Sequence, residues 1–182
     1  MKKGYKDIHS HLIEACKRGE RKAQFEIYKL YSKAMYNAAY RILNNSTEAE
    51  DIIQESFLKA FQKLNHFSGD VSFGAWLKKI VINASLDELR KKKIEFEDIE
   101  NIKISKIEQE DYNESSKEYE VKKIKDAIMI LPDGYRIVLS LYLLEGYDHD
   151  EIAEITGISA STSRSQLARA KKRLLEILTA KN

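Results

Sequence analysis

The sequence predicts an all-α fold made of two small helical domains joined by an acidic linker. Three observations predict it. Chain breakers are scarce, with one Pro and seven Gly in 182 residues, and that scarcity favours helices. Apolar residues recur at spacings of three and four over most of the chain, the period of a helix with one buried face. Residues 95–120 lose that period and carry ten acids against three lysines, a composition with too little apolar surface to form a core.

Charge is segregated accordingly. The 95–120 segment holds −7, which leaves +9 on the rest of a chain whose total is +2. The total names no partner, whereas the distribution does. A length of 182 residues suits one large domain or two small ones, and 43% apolar residues suffice for their cores. Cys16 is the only cysteine, so an internal disulfide is excluded and a reducing compartment is the simpler reading. The opening MKKGYKDIHSHLIEACKRGE has no apolar leader core, and no run approaches the ~18 apolar residues of a membrane span. A cytoplasmic, soluble protein is expected.

The first domain is expected over residues 5–94. Residues 5–18 read as a short amphipathic helix that Gly19 ends, followed by a longer helix over about 20–44. In the latter Phe25, Tyr28, Ala34 or Met35, and Ala38 or Ala39 form a stripe that reads as core. Asn44 and Asn45 break the helix. Thr47 with Glu50 makes a capping box for the next one. There Ile53, Phe57, Ala60, Phe61 and Leu64 share one apolar face, while Asp51, Gln54, Glu55 and Leu58 point elsewhere. A leucine among acids and amides fits either a docking surface or an ordinary solvated face. FSGDV (67–71) is a loop, and Ser72 caps the helix that follows. On a helical wheel Phe73, Trp76, Leu77, Ile80 and Ala84 point to a core, and Lys79, Asn83, Leu86 and Arg90 share an outer flank. Asn83 is a weak helix former, placed there for a local hydrogen bond or to meet a base edge. Four cations, Arg90 to Lys93, end the helix, partly because its dipole favours them there.

The second domain is expected over 121–180. A helix runs from Val121 to Ile130, Pro132 starts another as its first residue, and Gly146 ends it. Asp148 and Glu151 form a capping box, Gly157 makes a tight turn, Ile158 plugs the corner and Ser159 caps a final helix. Ala153 is small where that helix crosses. Ser163, Leu167, Ala170 and Leu174 face inward. Ser161, Thr162, Ser165, Ala168, Arg169 and Lys172 face outward. The small polar start of that outer face lets a helix sink into a major groove. The cationic remainder has Arg164, Arg169, Lys171, Lys172 and Arg173 and no acid among them, whereas a merely solvated hairpin helix usually intersperses Glu for salt bridges. A helix-turn-helix presents its second helix in this way.

Two basic helical surfaces, near 79–93 and 161–173, thus flank an acidic tether. The order EDIIQESFLKAF, FSGDVSFGAWLKKIVINASLDELRKKK and LPDGYRIVLSLYLLEGYDHDEIAEITGISASTSRSQLARAKKRL resembles the extracytoplasmic-function (ECF) sigma factors of bacterial RNA polymerase, over about residues 8–178. The resemblance implies a region 2 domain, an acidic linker at 95–120 and a region 4 helix-turn-helix domain. It implies that Asp51, Gln54, Glu55 and Leu58 dock on the clamp helices of the polymerase's largest subunit. Phe67, Ser68, Gly69, Asp70, Lys79, Asn83 and Arg90 would meet the −10 promoter element, where the loop holds an unstacked base and Trp76 supports that loop. Ser161, Thr162, Arg164, Ser165, Arg169 and Lys172 would meet the −35 element. The linker would thread through the polymerase towards the RNA path, its carboxylates standing in for phosphates. An anti-sigma factor is a further implied partner. The chain departs from the family at Ser161 and Ser163, where Gly and Val are common, and at Gln166, where Arg is frequent. Ser163 would then bond back to a helix carbonyl.

Catalytic chemistry is not evident. His9 and His11 lie two apart with no further Cys or His at metal spacing, His66 and His149 read as surface histidines, and Cys16 as a small buried hydrophobe. No Gly-rich phosphate loop is present. No cofactor, metal or small-molecule substrate is expected, so the protein would direct a catalyst rather than be one. The 47–93 block argues against a stand-alone helix-turn-helix regulator or a helical adaptor, which have no use for a second DNA-facing helix beside an acidic face.

Overall fold

A computed structural model describes residues 7–92 and 117–180. The 95–116 part of the acidic segment and Lys93 of the basic run lie outside the described residues. Among those described there are eight α-helices, one 3-10 turn and no strand, as the scarcity of breakers leads one to expect. The chain divides into two compact units, Met1–Lys93 and Ile94–Asn182.

The first unit holds α1 (Ser10–Lys17), α2 (Arg21–Leu43), α3 (Ser46–Gln62), a 3-10 turn (Leu64–His66) and α4 (Phe73–Lys91). Asn44 ends α2 in the left-handed conformation, which Asn tolerates better than most side chains. The cap of α3 is Asn45 rather than Thr47. The Asn45 side-chain oxygen accepts from the Glu48 N–H at 3.2 Å, and its amide donates to Glu48 Oε1 at 2.9 Å. Thr47 instead lies exposed in the first turn. Helix α2 packs on α1, α3 and α4 through Ala23, Ile27, Met35, Ala38, Ala39, Ile42 and Leu43. Phe25, expected in the core, is 60% exposed with the Lys29 ammonium over its ring. Ile27 takes the buried place two residues along.

Helix α4 is buried over a wider arc than the wheel predicts, because it packs against both α2 and α3. Phe73 and Leu77 are buried as expected, together with Val81, Ile82, Ser85 and Leu89. Trp76, Ile80 and Ala84 are only half-buried. Leu86, assigned to the outer flank, is 1% exposed. It stands at the edge nearest Ile82 and Leu89, where an apolar side chain gains by leaning inward. Cys16 is buried as expected, and burial, then the nearby Glu20 charge, raises its thiol pKa.

The second unit holds α5 (Lys117–Met129), α6 (Asp133–Leu143), α7 (His149–Thr156) and α8 (Ala160–Thr179). Helix α5 begins at Lys117, four residues before the expected start, with Glu118 and Glu120 in its first turn, where acids suit the dipole. Pro132 is the N-cap of α6 rather than its first residue. Arg136 is 1% exposed, yet its guanidinium donates to the Leu131 carbonyl at 3.1 Å and to Asp133 Oδ1 at 2.5 Å. A buried charge is tolerable when paired and hydrogen-bonded in this way. It ties the 131–133 corner to α6. Gly146 does not end α6, which Leu144 caps, but turns the chain two residues later at φ +80°.

Candidate nucleic-acid interface

Helices α7 and α8 form the expected helical hairpin. The Asp148 side chain accepts from the Glu151 N–H, and the Glu151 side chain accepts from the Asp148 N–H, a complete capping box. The hydroxyl pKa of the preceding Tyr147 is raised by burial first, then by the Glu145 and Glu151 charges. Gly157 turns the corner at φ +81°, a conformation that costs little without a Cβ. Ser159 then caps α8 by accepting from the Thr162 N–H at 2.9 Å.

The outward face of α8 is largely as the wheel places it. Ser161, Arg164, Ser165, Ala168, Arg169 and Lys172 are exposed, and Thr162 is half-buried. The Thr162 and Ser159 hydroxyls share a hydrogen bond at 2.8 Å, and Ser165 donates to the Thr162 carbonyl at 2.9 Å. These hydroxyls keep lone pairs to accept from a base or sugar. Among the described residues Arg164, Arg169 and Lys172 have no acid partner. A row of unpaired cations on a helix with a small polar first turn concentrates positive charge, which attracts polyanions.

The inner face differs from expectation at two positions. Ser163 does not bond back to a carbonyl; its Oγ meets His149 Nδ1 at 2.9 Å. His149 is half-buried rather than a surface histidine, stacked on Tyr142 at 4.6 Å between centroids. The buried hydroxyl at the helix crossing is thus satisfied from α7. Gln166 is also buried, so it does not occupy a phosphate-facing place on this helix.

In the first unit, loop 67–72 folds on itself. Gly69 takes φ +76°, and Ser68 Oγ donates to Asp70 Oδ2 at 2.7 Å. Phe67 packs on Trp76 (5.3 Å) and Phe73 (5.8 Å). Trp76 therefore lies beneath the loop as a support. Lys79, Asn83 and Arg90 are exposed along one flank of α4, Arg90 paired with Asp87 at 2.6 Å. Leu86, once grouped with them, is not on that surface. On α3 the outer face exposes Asp51, Gln54, Glu55 and Leu58, the leucine at 64%.

Comparisons with known proteins identify the family. A family model described as Sigma-70 region 2 matches residues 27–94, and one described as Sigma-70, region 4 matches residues 122–174. The chain is 31% identical over 174 residues to the ECF RNA polymerase sigma factor SigW of Bacillus subtilis, covering 89% of this chain and 92% of that protein. It is 28% identical over 172 residues to the RNA polymerase sigma-H factor of Pseudomonas aeruginosa, covering 88% and 89%. The solved sigma factor RpoE of Bartonella quintana, in complex with the anti-sigma factor NepR, is similar at 25% identity and a TM-score of 0.57. That likeness covers 86% of this chain and 97% of the solved one. With the region 2 and region 4 matches in order and an ECF relative matched over most of both chains, the protein belongs to the ECF sigma factors, the promoter-recognising initiation factors of RNA polymerase.

Proposed function

We propose a division of labour within this sigma factor. Residues 5–94 act as the region 2 domain, 95–120 as an acidic tether and 121–180 as the region 4 domain. The α3 face of Asp51, Gln54, Glu55 and Leu58 docks on the clamp helices of core polymerase. Phe67, Ser68, Gly69 and Asp70, with Lys79, Asn83 and Arg90 on α4, engage the −10 element. Ser161, Thr162, Arg164, Ser165, Arg169 and Lys172 on α8 engage the −35 element. The protein is not itself an enzyme and uses no cofactor; it works in the cytoplasm, where polymerase and promoter are. Among the described residues no helix is long and apolar enough to cross a membrane. A likeness to a sigma factor solved with its anti-sigma factor supports a protein antagonist of the same kind here.

The observation that carries the reading is the outer face of α3. A leucine exposed at 64% within two turns of two acids and a glutamine serves no core. It suits a partner that offers both an apolar pocket and cations. The test is reconstitution. The protein is mixed with core polymerase and genomic DNA, and transcript starts are mapped for wild type and for Leu58→Ala. Wild type directs new start sites, and Leu58→Ala weakens retention on polymerase about tenfold or more while the chain stays folded. Polymerase that neither retains the wild type nor gains start-site preference from it overturns the reading.

A further inference from the structure

We propose that Asp7 is a positioning residue for the promoter-facing loop, bound to it across 66 residues of sequence. This deepens the reading of loop 67–70 as the −10 base pocket and rests on it.

Helix α4 begins where that loop ends, and its first N–H groups have no partner within the helix. Ser72 satisfies one, accepting from the Ala75 N–H at 3.1 Å. The N–H of Phe73 is satisfied from elsewhere: it donates to Asp7 Oδ2 at 2.7 Å, in a buried bond. The other Asp7 oxygen accepts from the His9 N–H at 2.9 Å. One carboxylate, 8% exposed, therefore holds the starts of α1 and α4 together.

The bond is one side of a closed circuit. His9 Nδ1 lies 2.9 Å from the Tyr31 hydroxyl. The Tyr31 ring packs edge-on against Phe73 at 5.4 Å. Phe73 in turn bears both Phe67, the first loop residue, and Trp76, which lies under the loop. A Cβ at Gly74 would come within 2.9 Å of Tyr31, so only glycine lets the ring lie this close to α4. Both ends of the loop are thereby referred to one backbone N–H, and that N–H is fixed by Asp7. Without the carboxylate, Phe73 is released to shift, and Phe67 and Trp76 shift with it. A buried donor would also be left to find another partner.

The proposal is tested in the reconstituted holoenzyme with a mapped promoter. Single-stranded non-template −10 oligonucleotides are titrated intact and with abasic sites scanned through the element. Wild type loses affinity at one position. Asp7→Ala binds the intact strand about tenfold more weakly, yet binds the strand lacking that base as wild type does, so discrimination collapses. Retention on core polymerase is unchanged. Asp7→Asn keeps a carbonyl acceptor and recovers most of the discrimination. Equal weakening on intact and abasic strands, or discrimination unchanged in Asp7→Ala, overturns the proposal. If Asp7→Ala fails to fold, Tyr31→Phe, which opens the same circuit at His9, decides by the same comparison. A wild type indifferent to every abasic site overturns the base-pocket reading itself and this proposal with it, and shows it before any variant is made.

Discussion

Arg169 illustrates what a single exposed side chain contributes. It lies on the outer face of α8, exposed, with no acid partner among the described residues. Its guanidinium is free to make either of two contacts, and they have different signatures. A fork of two hydrogen bonds to a guanine edge is lost selectively: Arg169→Ala should cost ~1–3 kcal/mol on the −35 element of a mapped promoter and relax preference at one base pair. A phosphate contact is lost on every sequence alike, with the salt dependence of binding flattened by about one charge. Holoenzyme binding to wild-type and point-substituted −35 duplexes at several salt concentrations separates the two. Selective loss is the expected result, because Arg169 shares the exposed face of Ser161 and Ser165, whose short side chains let that face approach a groove closely. Arg173 differs in kind: its guanidinium donates to Glu176 at 2.8 Å, so its charge is already partly spent within the helix.

At the scale of elements, capping chemistry decides where helices start, and it can be measured. Asn45 accepts the Glu48 N–H and Thr47 does not. Asn45→Ala should therefore destabilise the first unit by ~1 kcal/mol, while Thr47→Ala, exposed in the first turn, should stay within about 0.5 kcal/mol. Urea unfolding of the two variants in the full chain checks it, and the reverse order would return the cap to Thr47. The same pair shows what a sequence can and cannot disclose. In sequence Thr47 and Glu50 read as the box; Asn45 and Glu48 stand at the same spacing, and spacing alone does not choose between the two pairs. The Asp148–Glu151 box, with one reading only, was legible outright. So were the outward face of α8 and the exposed face of α3, because one helix carries all the information they need. Leu86 was misplaced because a wheel assumes one buried direction, whereas α4 packs on two neighbours at once. Asp7 and the His149–Ser163 bond were invisible for a further reason. Each joins residues on different elements, 66 and 14 positions apart, and no local pattern announces such a partner.

At the scale of the whole molecule, charge is segregated along the chain. Residues 95–120 hold −7 and the rest +9, an arrangement that gives a basic DNA-binding protein its own competing anion. In water such competition acts within a Debye length, ~10 Å at 0.1 M salt, and tethering raises the effective concentration of a competitor whose linker can span the sites. Free sigma factor should then bind non-promoter duplex more weakly than its exposed cations alone would dictate. Changing Glu108, Glu110 and Glu114 to Gln and Asp111 to Asn removes four of the ten negative charges without touching either basic face. Affinity of the free protein for a random duplex should rise roughly threefold or more at about 50 mM salt. The gain should vanish near about 200 mM, where screening suppresses both the competitor and the DNA. Fluorescence anisotropy at the two salt concentrations measures it. An affinity unchanged at low salt would mean that the acids never meet the cations in the free protein. Their purpose would then have to be sought inside the polymerase alone.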